Sequence, residues 1–491
     1  MDNKNDKNKV DSPLQGFLRY FYGNFVVLLL GFVSIPLITR VMSNEQYGRT
    51  GMFTSAVTIL YIFAILGMDQ TYIRYYYQKG VDRRELMLRC LLPSLGIVSV
   101  ICIVYALLSN YANDFLFGSR GWDLTLLVIA YTVISVFERF LFLDIRMSQN
   151  GRLYSNLNIL SKVIYITLII LFARIMGDDF RVVMWAMTLS LGLITIGILI
   201  RYLAINFDGK IAKGDIERLS QKELIRYGAP FILVLLLEWL LSSCDKWSIR
   251  IWSDYGELGI YNSAMNIMSI LLTFKATFVA FWSPVAMQKY ENDTYENCVD
   301  FFKRAFNVTR FLCIAAGIGL ILLRGVIVLV LGPDYRGAVQ VIPFLTLMPV
   351  FSILFEITNQ GIKFKKLNHY LNYASLFAIV VNISGNALLV PLYGGKGAAI
   401  STGITYLMYF AIGTFFSNRC YEVGYDGKKT MVMGAILLVY ACVASILEPS
   451  WPDALVGLLA LGLVLLTDRQ TFTLCIGQLM QMLSRFKVNR S

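Results

Sequence analysis

Residues 47–56 read YGRTGMFTSA, and residues 255–264 read YGELGIYNSA. The shared pattern, YGxxGx[FY]xSA, returns at an offset of 208, and Arg19-Tyr20 returns as Arg226-Tyr227 at an offset of 207. The two glycines and the tyrosine stand outside the apolar bias around them, which makes chance similarity the weaker account. Each copy falls between two apolar spans, in what reads as an outside loop. Six spans separate the copies, so both halves face the same way. A parallel repeat of this kind, related by an axis along the membrane normal, points to a transporter whose halves rock around a shared cavity.

The sequence around the repeat is that of a membrane protein. Of 491 residues, 57% are apolar and only 15% charged; the mean hydropathy is +0.61. Soluble domains carry about 25% charged residues. A disordered chain, an ordinary soluble enzyme and a nucleic-acid binder are all excluded. The apolar residues fall in about fourteen blocks, from 17–39 to 453–467, most of them near the ~20 residues a helix needs to cross a bilayer. In lipid each block must satisfy its own backbone, so helix is the economical reading. The last block is the weakest, short and caught between Asp453 and Asp468.

The expected fold is an all-α integral membrane protein with about 14 transmembrane helices, in two parallel-repeat six-helix lobes plus an appended helix pair. Its expected division is a cytoplasmic tail at 1–16, lobes at 17–210 and 211–420, the appended pair at 421–470 and a second tail at 471–491. The polar N-terminus, MDNKNDKNKVDSP, reads as a cytoplasmic tail rather than a signal peptide.

Charge gives the orientation. The net charge is +12, with 44 Lys and Arg. Lysines and arginines gather on the cytoplasmic side of membrane proteins. With the N-terminus inside, the inner loops take Arg74, Lys79, Arg83, Arg84 and Arg89, the cluster from Arg201 to Arg226, and Lys363, Lys365 and Lys366. The outer segments hold only Arg40, Arg49, Arg120, Arg174, Arg181, Arg250, Arg336 and Lys396. Both ends are therefore expected inside.

The loops leave little room for chemistry. The longest outer one runs from Ser109 to Gly121, too short for an external sugar-polymerising site. No GxxxxGK[ST] phosphate loop occurs; Gly427-Lys428-Lys429-Thr430 lacks the earlier glycine. His369 is the only histidine, which argues against a histidine metal site. The eight cysteines show no paired spacing. Neither an enzyme nor a bound cofactor is expected.

Ionisable groups at membrane depth are expensive and mark function by default. Lys275 and Glu238 lie near the middles of their spans, where neither can easily snorkel. Each faces a wet cavity or a partner, and they could pair with each other. Glu238 and Asp245, seven apart, share one helix face; Lys246 and Arg250 share a neighbouring one. Near the inner interface, Asp69, Arg74, Glu138, Arg139, Lys162, Arg310 and Glu356 fit snorkelling or helix-end pairing as well as function. Arg324 is expected to snorkel outward. Several cations in a cavity suit an anionic substrate, because Arg forks onto phosphate and Lys acts as a point charge. Cationic drugs would want carboxylates and aromatics instead.

Several stretches resemble the polysaccharide-repeat (Wzx-like) flippases of the MOP exporter superfamily, which also holds MATE drug exporters and lipid II flippases. They are Pro36-Leu37-Ile38-Thr39-Arg40 with Glu45-Gln46-Tyr47-Gly48; Gly67-Met68-Asp69-Gln70-Thr71-Tyr72-Ile73-Arg74; Asp245-Lys246-Trp247 leading into Tyr255-Gly256; and Pro391-Leu392-Tyr393-Gly394-Gly395-Lys396-Gly397. Lys246 departs from the pattern, where arginine is as common. The resemblance implies alternating access by two six-helix lobes in the bacterial cytoplasmic (inner) membrane. It implies an undecaprenyl-pyrophosphate-linked oligosaccharide substrate, bound for O-antigen, capsule or exopolysaccharide, and proton or sodium coupling. A polysaccharide polymerase and chain-length proteins are the implied partners, with no nucleic acid.

Lys275, Arg74, Lys246, Arg250 and Arg40 are the expected substrate contacts, and Glu238, Asp245, Asp69 and Glu138 the carboxylates for ion coupling or cavity shaping. A MATE-like small-molecule antiporter, a lipid II-type flippase and a membrane glycosyltransferase are the rivals. The first would show more intramembrane carboxylates than cations, and the last a large outer loop. The second differs mainly in substrate.

Overall fold

The computed structural model describes residues 13–78, 80–207 and 220–477. Most of both expected tails, Lys79 and the loop containing Lys210, Lys213 and Arg218 lie outside the described residues. The chain divides into two compact units, Met1–Ser243 and Cys244–Ser491.

The first unit contains α1 (Pro13–Val41), α2 (Asn44–Ile65), α3 (Met68–Tyr75), α4 (Arg83–Leu107), α5 (Ser109–Phe117), α6 (Trp122–Met147), α7 (Gly151–Met176), α8 (Arg181–Phe207) and α9 (Gln221–Gly228). Helix α10 (Pro230–Trp252) runs across the boundary. Leu66 and Gly67 take left-handed backbone conformations and break α2 from α3. The break brings α3 onto α9 so closely that a Cβ on Gly67 would lie 2.1 Å from the Gly228 carbonyl oxygen. Thr71 Oγ1 donates to the Leu224 carbonyl at 3.1 Å, sealing the same contact. Tyr72 is fully buried against Phe140, and its hydroxyl donates to Asp144 at 2.7 Å.

The second unit contains α11 (Tyr255–Asn292), α12 (Tyr295–Leu322), α13 (Arg324–Val328), a 3-10 turn (Pro333–Tyr335), α14 (Ala338–Leu345), α15 (Leu347–Thr358), α16 (Gln360–Phe364), α17 (His369–Cys420), α18 (Gly427–Ala444) and α19 (Trp451–Thr467). The run α14–α16 is its core: nearly every residue is buried, under α11, α12, α17 and α18.

Helix α17 is a hairpin in fact. A straight helix of its 52 residues would be about 78 Å long at 1.5 Å per residue, more than twice the ~30 Å hydrocarbon core. Gly394 breaks it with φ 53° and ψ −133°. Ser401 Oγ then donates to the Asn382 carbonyl at 3.0 Å, and Tyr370 stacks on Phe416 at 5.2 Å.

The outward surface of the helices is apolar. On α4, Leu92, Val100, Ile103 and Leu107 are exposed, as residues that face lipid rather than water must be. Eleven helices among the described residues are long and apolar enough to cross a membrane, or twelve if α19 and the helix after its 90° bend form one span. The protein is a multi-pass membrane protein. That count takes the α17 hairpin as one helix and does not establish the expected number of fourteen. Expected spans 371–391 and 397–416 are the two arms of the α17 hairpin, and the expected first span, 17–39, lies within α1 (Pro13–Val41).

The repeat is also placed differently from the expectation. Neither copy is a loop: the first lies in the opening turns of α2 and the second opens α11. Gly51, Ser55 and Ala56 are buried in one, and Gly259, Ser263 and Ala264 in the other. The pattern records two helix starts that pack closely, which is why small residues recur.

Candidate functional site

In the second unit the polar centre is Asp245, 2% exposed on α10. Four neutral groups donate to its carboxylate. Tyr261 Oη and Thr402 Oγ1 reach Oδ2, each at 2.5 Å; Asn386 Nδ2 and Asn382 Nδ2 reach Oδ1 at 2.8 and 3.1 Å. The α17 hairpin makes this possible. Asn382 and Asn386, one turn apart, come from its outgoing arm and Thr402 from its returning arm. The hairpin tip is in turn tied to α11, where the Glu257 carboxylate accepts from the Gly395 amide at 3.0 Å. The same helix supplies Tyr261. Beside the carboxylate, Asn386 Oδ1 is buried without a hydrogen-bond partner.

Lys246 and Arg250 share α10 with Asp245. Lys246 is half-buried and makes no hydrogen bond or ion pair among the described residues. Arg250 lies over the Tyr255 ring at 4.5 Å.

Lys275 does not pair with Glu238. Its Nζ lies 3.2 Å from Glu356 Oε1, and Lys363 Nζ lies 3.6 Å from Oε2 of the same carboxylate. Asn359 Nδ2 donates to Oε2 at 3.2 Å. Two cations thus share one acid, and all three side chains are only partly buried.

In the first unit, Asp69 is buried and committed to Arg139, whose Nη2 and Nε reach Asp69 Oδ2 at 2.7 and 3.2 Å. Glu138, the next residue along α6, is half-buried and makes no hydrogen bond among the described residues. Arg40 and Arg74 are exposed at the ends of α1 and α3. Glu238 is exposed on α10. The first unit therefore gathers Asp69, Arg139 and Glu138, and leaves Arg40, Arg74 and Glu238 apart from them.

Arg310 and Arg324 do not snorkel. Both are fully buried, and each meets an aspartate at one end of α19: Arg310 Nη2 to Asp468 Oδ2 just past its last turn and Arg324 Nη1 to Asp453 Oδ2 in its first, both at 2.6 Å. Further donors go to the carbonyls of Asp426, Ile321 and Leu447 and to Thr430 Oγ1, while the Nε of each arginine is buried without a hydrogen-bond partner. The two charges that made the last span look weak are the ones that hold it.

Sequence reasoning passed over Asn382, Asn386, Thr402 and Tyr261 because it counted charges alone. The signal was present in Asn382 and Asn386, two amides at i and i+4 in an otherwise apolar run, which places both on one helix face.

A family model described as polysaccharide biosynthesis protein matches residues 14–289. An uncharacterized membrane protein of Methanocaldococcus jannaschii is 22% identical over 438 residues, covering 83% of this chain and 85% of its own length. Among solved structures, the lipid II flippase MurJ in an inward closed conformation aligns with a TM-score of 0.64 at 14% identity, over 94% of this chain and 100% of that one. An inward-facing multidrug resistance MATE family transporter of the MOP superfamily aligns at 0.59 and 16% identity, over 86% and 99%. At these identities the structural likeness establishes the fold.

Proposed function

The chain belongs to the polysaccharide biosynthesis protein family, and from that premise we propose that it flips undecaprenyl-pyrophosphate-linked oligosaccharide repeat units across the cytoplasmic membrane. In this reading both termini are cytoplasmic, and units move from the inner to the outer leaflet by alternating access. The fold is the one shared by MOP transporters. The observation that carries the substrate class is the Lys275–Glu356–Lys363 cluster. Two lysines against one carboxylate leave an excess of positive charge within an apolar bundle, which favours an anion such as a diphosphate. Lys246 and Arg250 are further cations of the same unit for that ligand.

Asp245 is the carboxylate for ion coupling in this proposal. Asp69 is already neutralised by Arg139, whereas the donors to Asp245 are uncharged. The orphaned Asn386 Oδ1 beside it offers one more oxygen, and a carboxylate among such oxygens takes up a proton or a small hard cation.

The test is lipid-linked intermediate analysis in a strain lacking the gene, complemented with wild type or Lys275→Ala. Build-up of undecaprenyl-linked repeat units with loss of surface polysaccharide, rescued by wild type alone at equal protein levels, is the expected result. Unchanged intermediates and surface glycan in the deletion strain would overturn the reading and direct attention to drug efflux.

A further inference from the structure

We propose that Glu356 is a built-in counter-anion: it occupies Lys275 and Lys363 while the site is empty, gives them up to the diphosphate of the substrate, and takes them back to expel it. The inference rests on the flippase reading and assigns a role to a residue that the substrate does not need for binding.

Three observations carry it. The first is geometry. One carboxylate bridges lysines from two helices, with Lys275 of α11 on Oε1 and Lys363 of α16 on Oε2. Neither lysine has another acidic partner among the described residues.

The second is looseness. The contacts are 3.2 and 3.6 Å long, with side-chain exposures of 27% for Lys275, 28% for Lys363 and 15% for Glu356. Tight charge-assisted bonds run at about 2.7–2.9 Å. The two arginine pairs of the same unit show what a permanent contact looks like here, at 2.6 Å and sealed. A long, partly exposed lysine pair holds less net free energy than a tight one with good geometry, and an ammonium can turn to a new anion without losing a fixed fork geometry.

The third is access. Lys363 leads directly into Lys365 and Lys366, both exposed. A diphosphate approaching this end meets cations first and the shared carboxylate last. It carries more charge than Glu356 and can displace it. Once the diphosphate is held less firmly, the tethered carboxylate is always at hand to compete.

The role has a signature that structural support lacks, because binding and turnover move in opposite directions. The experiment uses the full-length protein in lipid nanodiscs, with undecaprenyl diphosphate, inorganic pyrophosphate and undecaprenol as probes, and the deletion strain for transport. Glu356→Gln keeps size and hydrogen bonding and removes the charge; Glu356→Ala guards against an effect of the new amide. Both should bind undecaprenyl diphosphate about tenfold more tightly than wild type while restoring less surface polysaccharide, and Lys275→Ala and Lys363→Ala should bind it about tenfold more weakly. The same tightening with inorganic pyrophosphate supports the inference with the free anion as sufficient ligand. Tightening with the lipid alone supports it with the headgroup presented on its tail. Weaker or unchanged binding in both Glu356 variants, with the lysine variants behaving as expected, overturns this inference and leaves the flippase reading standing. Wild-type protein that binds undecaprenyl diphosphate no better than undecaprenol overturns both.

Discussion

Arg324 and Asp453 form an ion pair of 2.6 Å with both side chains closed off, at 0% and 2% exposure. The pair joins the start of α13, just past the end of α12, to the start of α19. Arg310 and Asp468 repeat the arrangement at the other end of α19. Removing one member of a buried pair leaves an uncompensated charge, which costs about 3–5 kcal/mol, whereas replacing both with apolar residues is often neutral. Arg324→Leu and Asp453→Leu should each lower the melting temperature of the purified protein sharply, and the double variant should recover most of the loss. Equal losses in the single and double variants would refute the pairing.

Tyr261 occupies the position in the second copy of the repeat that Phe53 occupies in the first. Its hydroxyl donates to the buried Asp245, and a hydrogen bond to a charged group contributes roughly 1.5–3 kcal/mol. Tyr261→Phe should therefore destabilise the protein by about that amount, read by thermal unfolding. Phe53→Tyr provides the contrast. Phe53 is fully buried against the Tyr131 ring, so an added hydroxyl there should destabilise as well.

Gly394 and Gly177 have nearly the same backbone, at φ 53°, ψ −133° and φ 67°, ψ −138°. Alanine at either is strained by about 1–3 kcal/mol. Only at Gly394 would the new Cβ also meet a neighbour, Glu257 Oε2 at 2.9 Å; at Gly177 nothing lies within 4 Å. Gly394→Ala should destabilise more than Gly177→Ala and reduce transport further at matched protein levels. Identical effects would show that the Glu257 contact is unimportant.

Lys246 sits half-buried beside a carboxylate whose oxygens already hold four donors. A cation kept there without an ion pair does not help the fold, so Lys246→Met should leave the melting temperature unchanged or raise it by a few degrees. Transport should fall in the same variant. A stability loss with transport intact would place Lys246 in the scaffold instead.

The all-helical membrane architecture was legible because apolar blocks and their length are properties of sequence alone. Charge was legible in kind but not in pairing. Lys275 stood out at once, yet its partner Glu356 is far along the chain and looked like an interface residue. Arg324 looked free to snorkel because nothing local reveals that Asp453, from a later helix, meets it. The shell around Asp245 was harder still. It is made of neutral side chains on α11 and the two arms of α17, and only the reversal at Gly394 brings Asn382 and Thr402 to the same carboxylate.

The two copies of the repeat are chemically unequal. At the repeat offsets of 207 and 208, the residues facing Asp245 in the alignment are Ile38 and Leu37, both apolar, and Tyr261 is matched by Phe53. The carboxylate and one of its donors are thus both missing from the first copy. Any ion exchanged at Asp245 has no twin elsewhere in the repeat. In the proposed coupling role Asp245 therefore acts without a counterpart at the matching positions of the first copy, however symmetric the helices that surround it.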